Sequence, residues 1–153
     1  MRTTLTAVCA ALLLGVAAAC GGDDDGGDGE FQSQVNAICA DYGPKLALLT
    51  PPAVSDEEWA AIGADMGDLL EASVNELRLL QPPQDLGEDY AEWLAARTRI
   101  LAAIRDAQVA GGSHDEQGLE ESLAKANAAI AEADPLAEEL GFADCSPTGV
   151  TTS

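Results

Sequence analysis

Apolar residues recur at three- and four-residue steps from residue 31 onward, and pairs containing proline or glycine separate one apolar segment from the next. This spacing places the apolar side chains on one face of a helix. No segment of the sequence shows the sustained alternation of apolar and polar residues that is typical of a strand. The pattern therefore predicts four helices. Their apolar positions are, in chain order, Phe31, Val35, Ile38, Tyr42, Leu46 and Leu49; Trp59, Ile62, Met66, Leu69, Leu70, Leu77 and Leu80; Leu86, Tyr90, Leu94, Leu101 and Ile104; and Leu119, Leu123, Ile130, Leu136 and Leu140.

Short loops are predicted to join these helices. Ser55 and Glu58 form a capping box that should open the second helix, while Pro44 and Pro135 should bend the first and the fourth. Four helices of comparable length with short loops favour an all-α, up-down-up-down four-helix bundle. The helix-breaking positions are Thr50-Pro51-Pro52, Gln81-Pro82-Pro83, Gly111-Gly112 and Gly141-Phe142.

The N-terminal residues 1–19 have the parts of a signal peptide. Arg2 supplies positive charge, and the apolar stretch Leu5–Ala19 follows it. That stretch is shorter than the roughly 20 residues that span a bilayer as a helix. A leader of this kind predicts export from the cytoplasm, with residues 1–19 removed from the mature protein.

Cys20 is the predicted lipidation site. Ala17-Ala18-Ala19-Cys20 is similar to the lipobox of bacterial lipoproteins, although Ala17 stands where leucine is more common. The same small residues also suit ordinary signal cleavage, which would leave a freely secreted protein that begins at Cys20. Lipidation predicts that the protein is held by its lipid at the outer face of the cytoplasmic membrane or in the cell envelope.

Cysteine parity bears on both alternatives. Cys9 leaves with the leader, so the exported chain keeps Cys20, Cys39 and Cys145. A lipid on Cys20 removes the odd cysteine. In an up-down-up-down bundle the last helix ends beside the start of the first, which brings Cys39 near Cys145. A disulfide between them is predicted to close the bundle; the alternative is a pair of free thiols, and the nearby acidic residues do not favour reactive ones.

The segment that follows Cys20 is acidic and rich in glycine. Residues 20–30 are predicted to be a flexible, lipid-anchored tether, because they contain no apolar side chain after the cysteine. An EF-hand loop starting at Asp23 would need glycine at its sixth position and glutamate at its twelfth, where Asp28 and Gln34 stand. The bundle domain is predicted over 31–145, with a flexible tail over 146–153.

The formal net charge of −20 limits the partners. A strongly acidic surface repels nucleic acid and anionic lipid headgroups. No nucleic-acid partner is expected, and the link to the membrane is expected to be the lipid on Cys20. An envelope protein or a small molecule remains the expected kind of partner.

Residues with catalytic chemistry are few. His114 is the only histidine and is predicted to be a solvated loop residue. The sequence shows no metal-ligand spacing and no nucleophile motif, so no enzyme activity, metal or cofactor is expected. Two polar residues fall on or beside apolar stripes. Arg97 is predicted either to extend from the edge of the core to solvent or to meet an anionic ligand or a carboxylate between helices. Asn127 is predicted to set helix register from within the core.

Three parts of the chain carry a resemblance. They are FQSQVNAICADY over Phe31–Tyr42, the two Pro-Pro breaks with Tyr90-x-x-Trp93-Leu94 after the second, and the ending Leu140–Cys145. Together they are similar to small exported helical lipoproteins of actinobacteria. The resemblance covers nearly the whole chain and implies the fold and the location, but no activity.

These observations predict a non-enzymatic binding or structural module of the cell envelope. A bundle that binds or senses a small molecule in a pocket between its helices is the first alternative. A secreted enzyme is the second.

Overall fold

The computed structural model of the protein describes residues 25–49 and 55–146, and it is an all-α, up-down-up-down four-helix bundle closed by one disulfide. Strands are absent from these two ranges. A short 3₁₀ turn, Ala143–Cys145, follows the last helix. The four helices are α1 (Asp25–Leu48), α2 (Asp56–Leu77), α3 (Gly87–Gly112) and α4 (Glu116–Glu139).

Helix α1 begins six residues earlier than the apolar pattern indicates. The predicted boundary at Phe31 is wrong, because residues 25–30 of the predicted tether are the first turns of α1. Acidic side chains are favourable near the positive end of a helix dipole, and Asp28 stands in this first part of α1. The leader, Cys20 and the predicted tail from residue 147 lie outside the described residues.

The ends of α2 and α4 follow their predicted signals. Ser55 accepts a hydrogen bond from the amide of Glu58, whose carboxylate accepts one from the Ser55 amide at 2.9 Å, so the capping box is confirmed. At the end of α4, Gly141 has a φ of +74°. The Phe142 amide donates to the Ala137 carbonyl at 2.8 Å, which turns the chain back and buries the Phe142 ring.

Helix α3 is the central element, since it packs along both α2 and α4. Glycine allows its close approach to α2. A Cβ placed on Gly63 would lie 3.1 Å from the Cβ of Gln108 and 3.3 Å from its Cα. The side chain of Arg105 crosses α2 and bonds Asp68 and Glu71 at 2.7 and 2.9 Å. Helix α1 packs against α2 and against the turn that follows α4.

One end of the bundle, here called the disulfide end, holds an aromatic cluster. The rings of Phe31 and Tyr90 lie 4.9 Å apart edge to face, and those of Trp93 and Phe142 also lie 4.9 Å apart. Beside them Cys39 and Cys145 form the predicted disulfide, with their Cα atoms 5.0 Å apart. The bridge therefore joins α1 to the chain after α4, as the topology predicts.

Polar bonds reinforce the same end. Tyr90 donates to the Leu77 carbonyl at 2.7 Å, and burial raises the pKa of its hydroxyl to about 12. Gln32 and Asn36 of α1 donate to the carbonyls of Leu140 and Gly141. These bonds hold α1 across the end of α4, because they satisfy carbonyls that a helix terminus leaves without partners.

The opposite end, here called the alanine end, has a second and smaller apolar cluster. Ala107 and Ala110 of α3 pack there with Leu119 of α4, and Trp59 and Leu123 cover them while remaining partly exposed. From Trp93 to Ala110 along α3 is about 25 Å at 1.5 Å per residue. The two clusters therefore occupy opposite ends of the bundle.

Candidate functional site

A largely buried polar cluster lies between α3 and α4 and includes one of the aromatic rings, that of Trp93. Trp93 and Arg97 are four residues apart on α3 and share one face of that helix. The Arg97 guanidinium carbon lies 5.7 Å from the centre of the Trp93 ring, within range of a cation–π contact. Asp134 of α4 supplies the negative charge that acts on Arg97. We call Trp93, Arg97 and Asp134 the polar cluster.

Each member of the polar cluster has a buried polar atom without a hydrogen-bond partner. These atoms are the Trp93 indole nitrogen, the Arg97 Nε and one carboxylate oxygen of Asp134. A buried polar atom left in this state costs about 1 to 3 kcal/mol. Two unpaired donors on α3 and one unpaired acceptor on α4 thus lie in the region where these two helices pack together.

Burial has a larger effect on the pKa values of Arg97 and Asp134 than their mutual attraction has. Arg97 is only 9% exposed, and desolvation lowers the pKa of its guanidinium, while the charge of Asp134 opposes that change. Desolvation also raises the pKa of the Asp134 carboxyl, and here Arg97 opposes the shift. Because arginine keeps its proton in proteins, Arg97 is a positive charge held inside the bundle beside a partly buried carboxylate.

Burial favours one of the two alternatives for Arg97. Most of its side chain is buried, and its Nε is a buried atom without a hydrogen-bond partner. Asp134 of the neighbouring helix supplies the charge that acts on it. These observations favour an internal polar site over a side chain that extends from the edge of the core to solvent.

The prediction for Asn127 is wrong, because this residue is exposed. The buried line of α4 runs through Ser122, Ala126 and Ala129. Small side chains on that line let α3 come close, and this choice of contact face turns Leu123 and Asn127 outward. Asn127 therefore cannot set helix register from within the core.

Asn127 lies instead at one end of a shallow groove on the outer face of α4. The groove encloses about 380 Å³ and has leucine and alanine side chains along its floor. We call it the α4 groove. Its lining residues are Glu116, Leu119, Glu120, Leu123, Ala124 and Asn127.

His114 is exposed, as predicted, and it has a second feature that the sequence does not indicate. Its φ is +56°, a left-handed conformation that favours glycine. The Asp115 amide donates to the Ala110 carbonyl at 2.9 Å, which ends α3 in the same way that Gly141 ends α4. His114 therefore serves the turn between α3 and α4.

Sequence reasoning missed Asp134 and the α4 groove. Asp134 stands four residues after Ile130 and three before Ala137, on the apolar stripe of α4. A charged residue at that spacing is the signal that points to a partner for Arg97. The groove is harder to predict from the sequence, since Leu119 and Leu123 look like ordinary core positions until the contact face of α4 is known.

Two other kinds of feature are absent from residues 25–49 and 55–146. None of the helices there combines the length and the apolar composition of a membrane-spanning segment. No group of three or more histidine, cysteine, aspartate or glutamate side chains could hold a metal ion there.

Comparison with known proteins found no match. No family model, curated protein or solved structure matches the chain.

Proposed function

We propose that this protein is a lipid-anchored, extracytoplasmic binding module without enzyme activity. The lipid on Cys20 holds it at the outer face of the cytoplasmic membrane or in the cell envelope. The acidic segment that follows Cys20 links the lipid to the bundle. Its role is to bind an envelope protein or another partner through the surface of the bundle.

The Cys39–Cys145 disulfide is the observation that carries this proposal. Disulfides form and persist mainly in oxidising compartments outside the cytoplasm. The bridge uses two of the three cysteines that follow the leader and leaves Cys20 as the odd one. A thioether-linked lipid on Cys20 accounts for that remaining thiol, and the apolar leader that ends at Ala19 supports the same assignment.

Cell fractionation of a Cys20→Ser variant tests the proposal. Durable anchoring needs two or more acyl chains, so we expect the wild-type protein in the membrane fraction and the variant in the soluble fraction or unprocessed. Cys9→Ser is the matched control, because it changes a cysteine inside the leader and should leave fractionation unchanged. A wild-type protein that is wholly soluble and begins with an unmodified Cys20 would contradict the proposal.

A small-molecule function is the second candidate, and the polar cluster favours it. Arg97 and Trp93 of α3 offer unpaired donors, and Asp134 of α4 offers an unpaired acceptor. A small ligand that carries a carboxylate and a hydroxyl or amine would match this set.

Native mass spectrometry of protein purified from an exporting host tests this candidate. We expect a bound mass that disappears in Arg97→Gln and remains in Arg99→Gln, which removes the same charge from an exposed position of α3. Melting measurements in the presence of small hydroxy acids and amino acids provide a second readout. No bound mass and no change in melting temperature with any of these probes would exclude the polar cluster as a ligand site.

A further inference from the structure

The α4 groove follows one face of one helix. Its six lining residues occupy positions 116, 119, 120, 123, 124 and 127, which are the steps of three and four that align side chains along a helix. The face extends over about three turns, or roughly 17 Å. Its centre is apolar, since Leu123 and Ala124 lie between the two glutamates and Asn127.

Within residues 25–49 and 55–146, no other helix lines this groove. Helix α1, which would complete a closed bundle, packs against α2 and against the turn after α4. The apolar cluster at the alanine end is built from α2, α3 and α4 in the described residues. Leu123 therefore covers that cluster with one side of its chain and presents the other side to the groove.

Charge decides what kind of helix can lie there. Glu116 and Glu120 are exposed along the groove, and the chain as a whole carries a net charge of −20. A second copy would bring a like charge to the same face, which opposes association. A cationic partner would gain both apolar burial over Leu123 and Ala124 and attraction to the two carboxylates.

We propose that the α4 groove binds a cationic amphipathic helix of a partner protein. The partner lays leucine-like side chains at helical spacing over Leu123 and Ala124, as in other helix-in-groove complexes. Its lysine or arginine side chains pair with Glu116 and Glu120. This inference deepens the proposed binding function by naming a surface and a partner class. Its failure would leave the fractionation result of Cys20→Ser untouched, so the two can fail separately.

Titration with designed peptides tests the proposal. The probe is an amphipathic leucine–lysine helix of about five turns, or roughly 18 residues, and the matched peptide replaces every lysine with glutamate. Both are titrated into the full chain carrying Cys20→Ser, which removes the lipidation site and leaves the bundle unchanged. We expect saturable binding of the lysine peptide alone. Amide chemical-shift changes should be concentrated in residues 116–127.

Paired variants separate the groove from general attraction to an acidic protein. Glu120→Lys should weaken peptide binding about tenfold, or roughly 1.4 kcal/mol, while Glu139→Lys changes the net charge equally at the other end of α4 and should have little effect. Leu123→Gln should weaken binding, while Leu79→Gln changes a leucine that is 82% exposed elsewhere and should not. Melting curves check that each variant is folded.

Three results would overturn the proposal. Equal weakening by Glu120→Lys and Glu139→Lys would mean non-specific attraction to the acidic surface. Shift changes outside residues 116–127 would place the peptide elsewhere. A concentration-dependent dimer that Leu123→Gln abolishes would mean that the groove is covered by a second copy of this chain.

Discussion

At the disulfide end of the bundle four aromatic rings lie against one another beside a covalent bridge, whereas at the alanine end the buried positions of α3 hold only alanine and glycine. Trp93 is fully buried at the first end. Trp59, the other tryptophan, is only half-buried at the second. Two residues of the same type thus have different packing within one small domain.

This difference separates the part that contributes most to holding the fold together from the part where we propose that a partner binds. Large rings bury more apolar area than alanine does, and the disulfide restricts the unfolded chain. The alanine end lacks both and carries the α4 groove. Regions with few buried apolar contacts are also those that open most easily, so we expect local opening to begin there.

The largest effect is expected from the two tryptophans. Trp93→Ala should lower the free energy of unfolding by about 3 to 5 kcal/mol, as for other large buried side chains. Trp59→Ala should cost roughly half of that or less, because a half-buried side chain loses less apolar contact. Urea unfolding monitored by circular dichroism gives both values. Equal losses would show that the two ends of the bundle are equally well packed, which contradicts the comparison.

The disulfide should have the next largest effect. Replacing Cys39 and Cys145 together with alanine should cost about 2 to 5 kcal/mol, while the helical circular dichroism spectrum is retained. Hydrogen exchange should show the greatest loss of protection in α1, and Ala107 and Ala110 should change less. Cys20→Ser is the control and should leave the melting temperature unchanged. Two free thiols in the oxidised, exported protein would contradict the bridge.

Arg97 of the polar cluster, which lies between the two ends, should show a smaller effect. Arg97→Ala should lower stability by about 1 to 3 kcal/mol, since it leaves the partly buried Asp134 without its neighbouring positive charge. Arg99→Ala, at an exposed position of the same helix, is the control and should change stability by less than about 0.5 kcal/mol. Thermal and urea unfolding measure both. If Arg97→Ala costs no more than Arg99→Ala does, the contact between Arg97 and Asp134 does not contribute to stability.

Asp134 also predicts a dependence on pH. Because burial raises the pKa of this carboxyl, the folded protein binds its proton more readily than the unfolded chain does. The stability from this group is therefore fully present below its unfolded pKa, about 3.9, and is lost as the pH rises through the folded pKa. Wild type should gain stability relative to Asp134→Asn on acidification from pH 7 toward about pH 4.

Urea unfolding of both proteins across this pH range checks the prediction. The lowered pKa of Glu58 in the capping box acts in the opposite direction, since its stabilising effect is lost on acidification. That contribution is the same in both proteins and cancels in their difference. A difference that stays constant with pH would show that Asp134 is not desolvated in the folded protein.

The smallest effect, and a gain, is expected at His114. Glycine adopts the left-handed conformation there without the cost of a Cβ, so His114→Gly should raise stability by about 0.5 to 1 kcal/mol. His114→Ala keeps the Cβ and is the control, with no gain expected. Thermal unfolding compares the two variants. Equal melting temperatures for both variants would show that the turn between α3 and α4 does not carry this strain.

Much of the architecture could be predicted from local signals. The prolines after Thr50 and Gln81, the capping box at Ser55 and Gly141 each act within a few residues, and each marks a helix end near its predicted place. The start of α1 was missed because glycine and aspartate are poor helix formers. The helix nevertheless extends through them, with Asp28 near the positive end of its dipole.

The sequence by itself determined the four helices, their order and the pairing of Cys39 with Cys145, because helix periodicity, terminal signals and cysteine parity are properties of neighbouring residues and of chain topology. The tertiary structure alone decided which face of α4 meets α3. That choice depends on how closely two helices can approach, and small residues at Ser122, Ala126 and Ala129 allow the closest contact. It placed Asp134 beside Arg97, turned Asn127 to the surface and left Leu123 at an open groove.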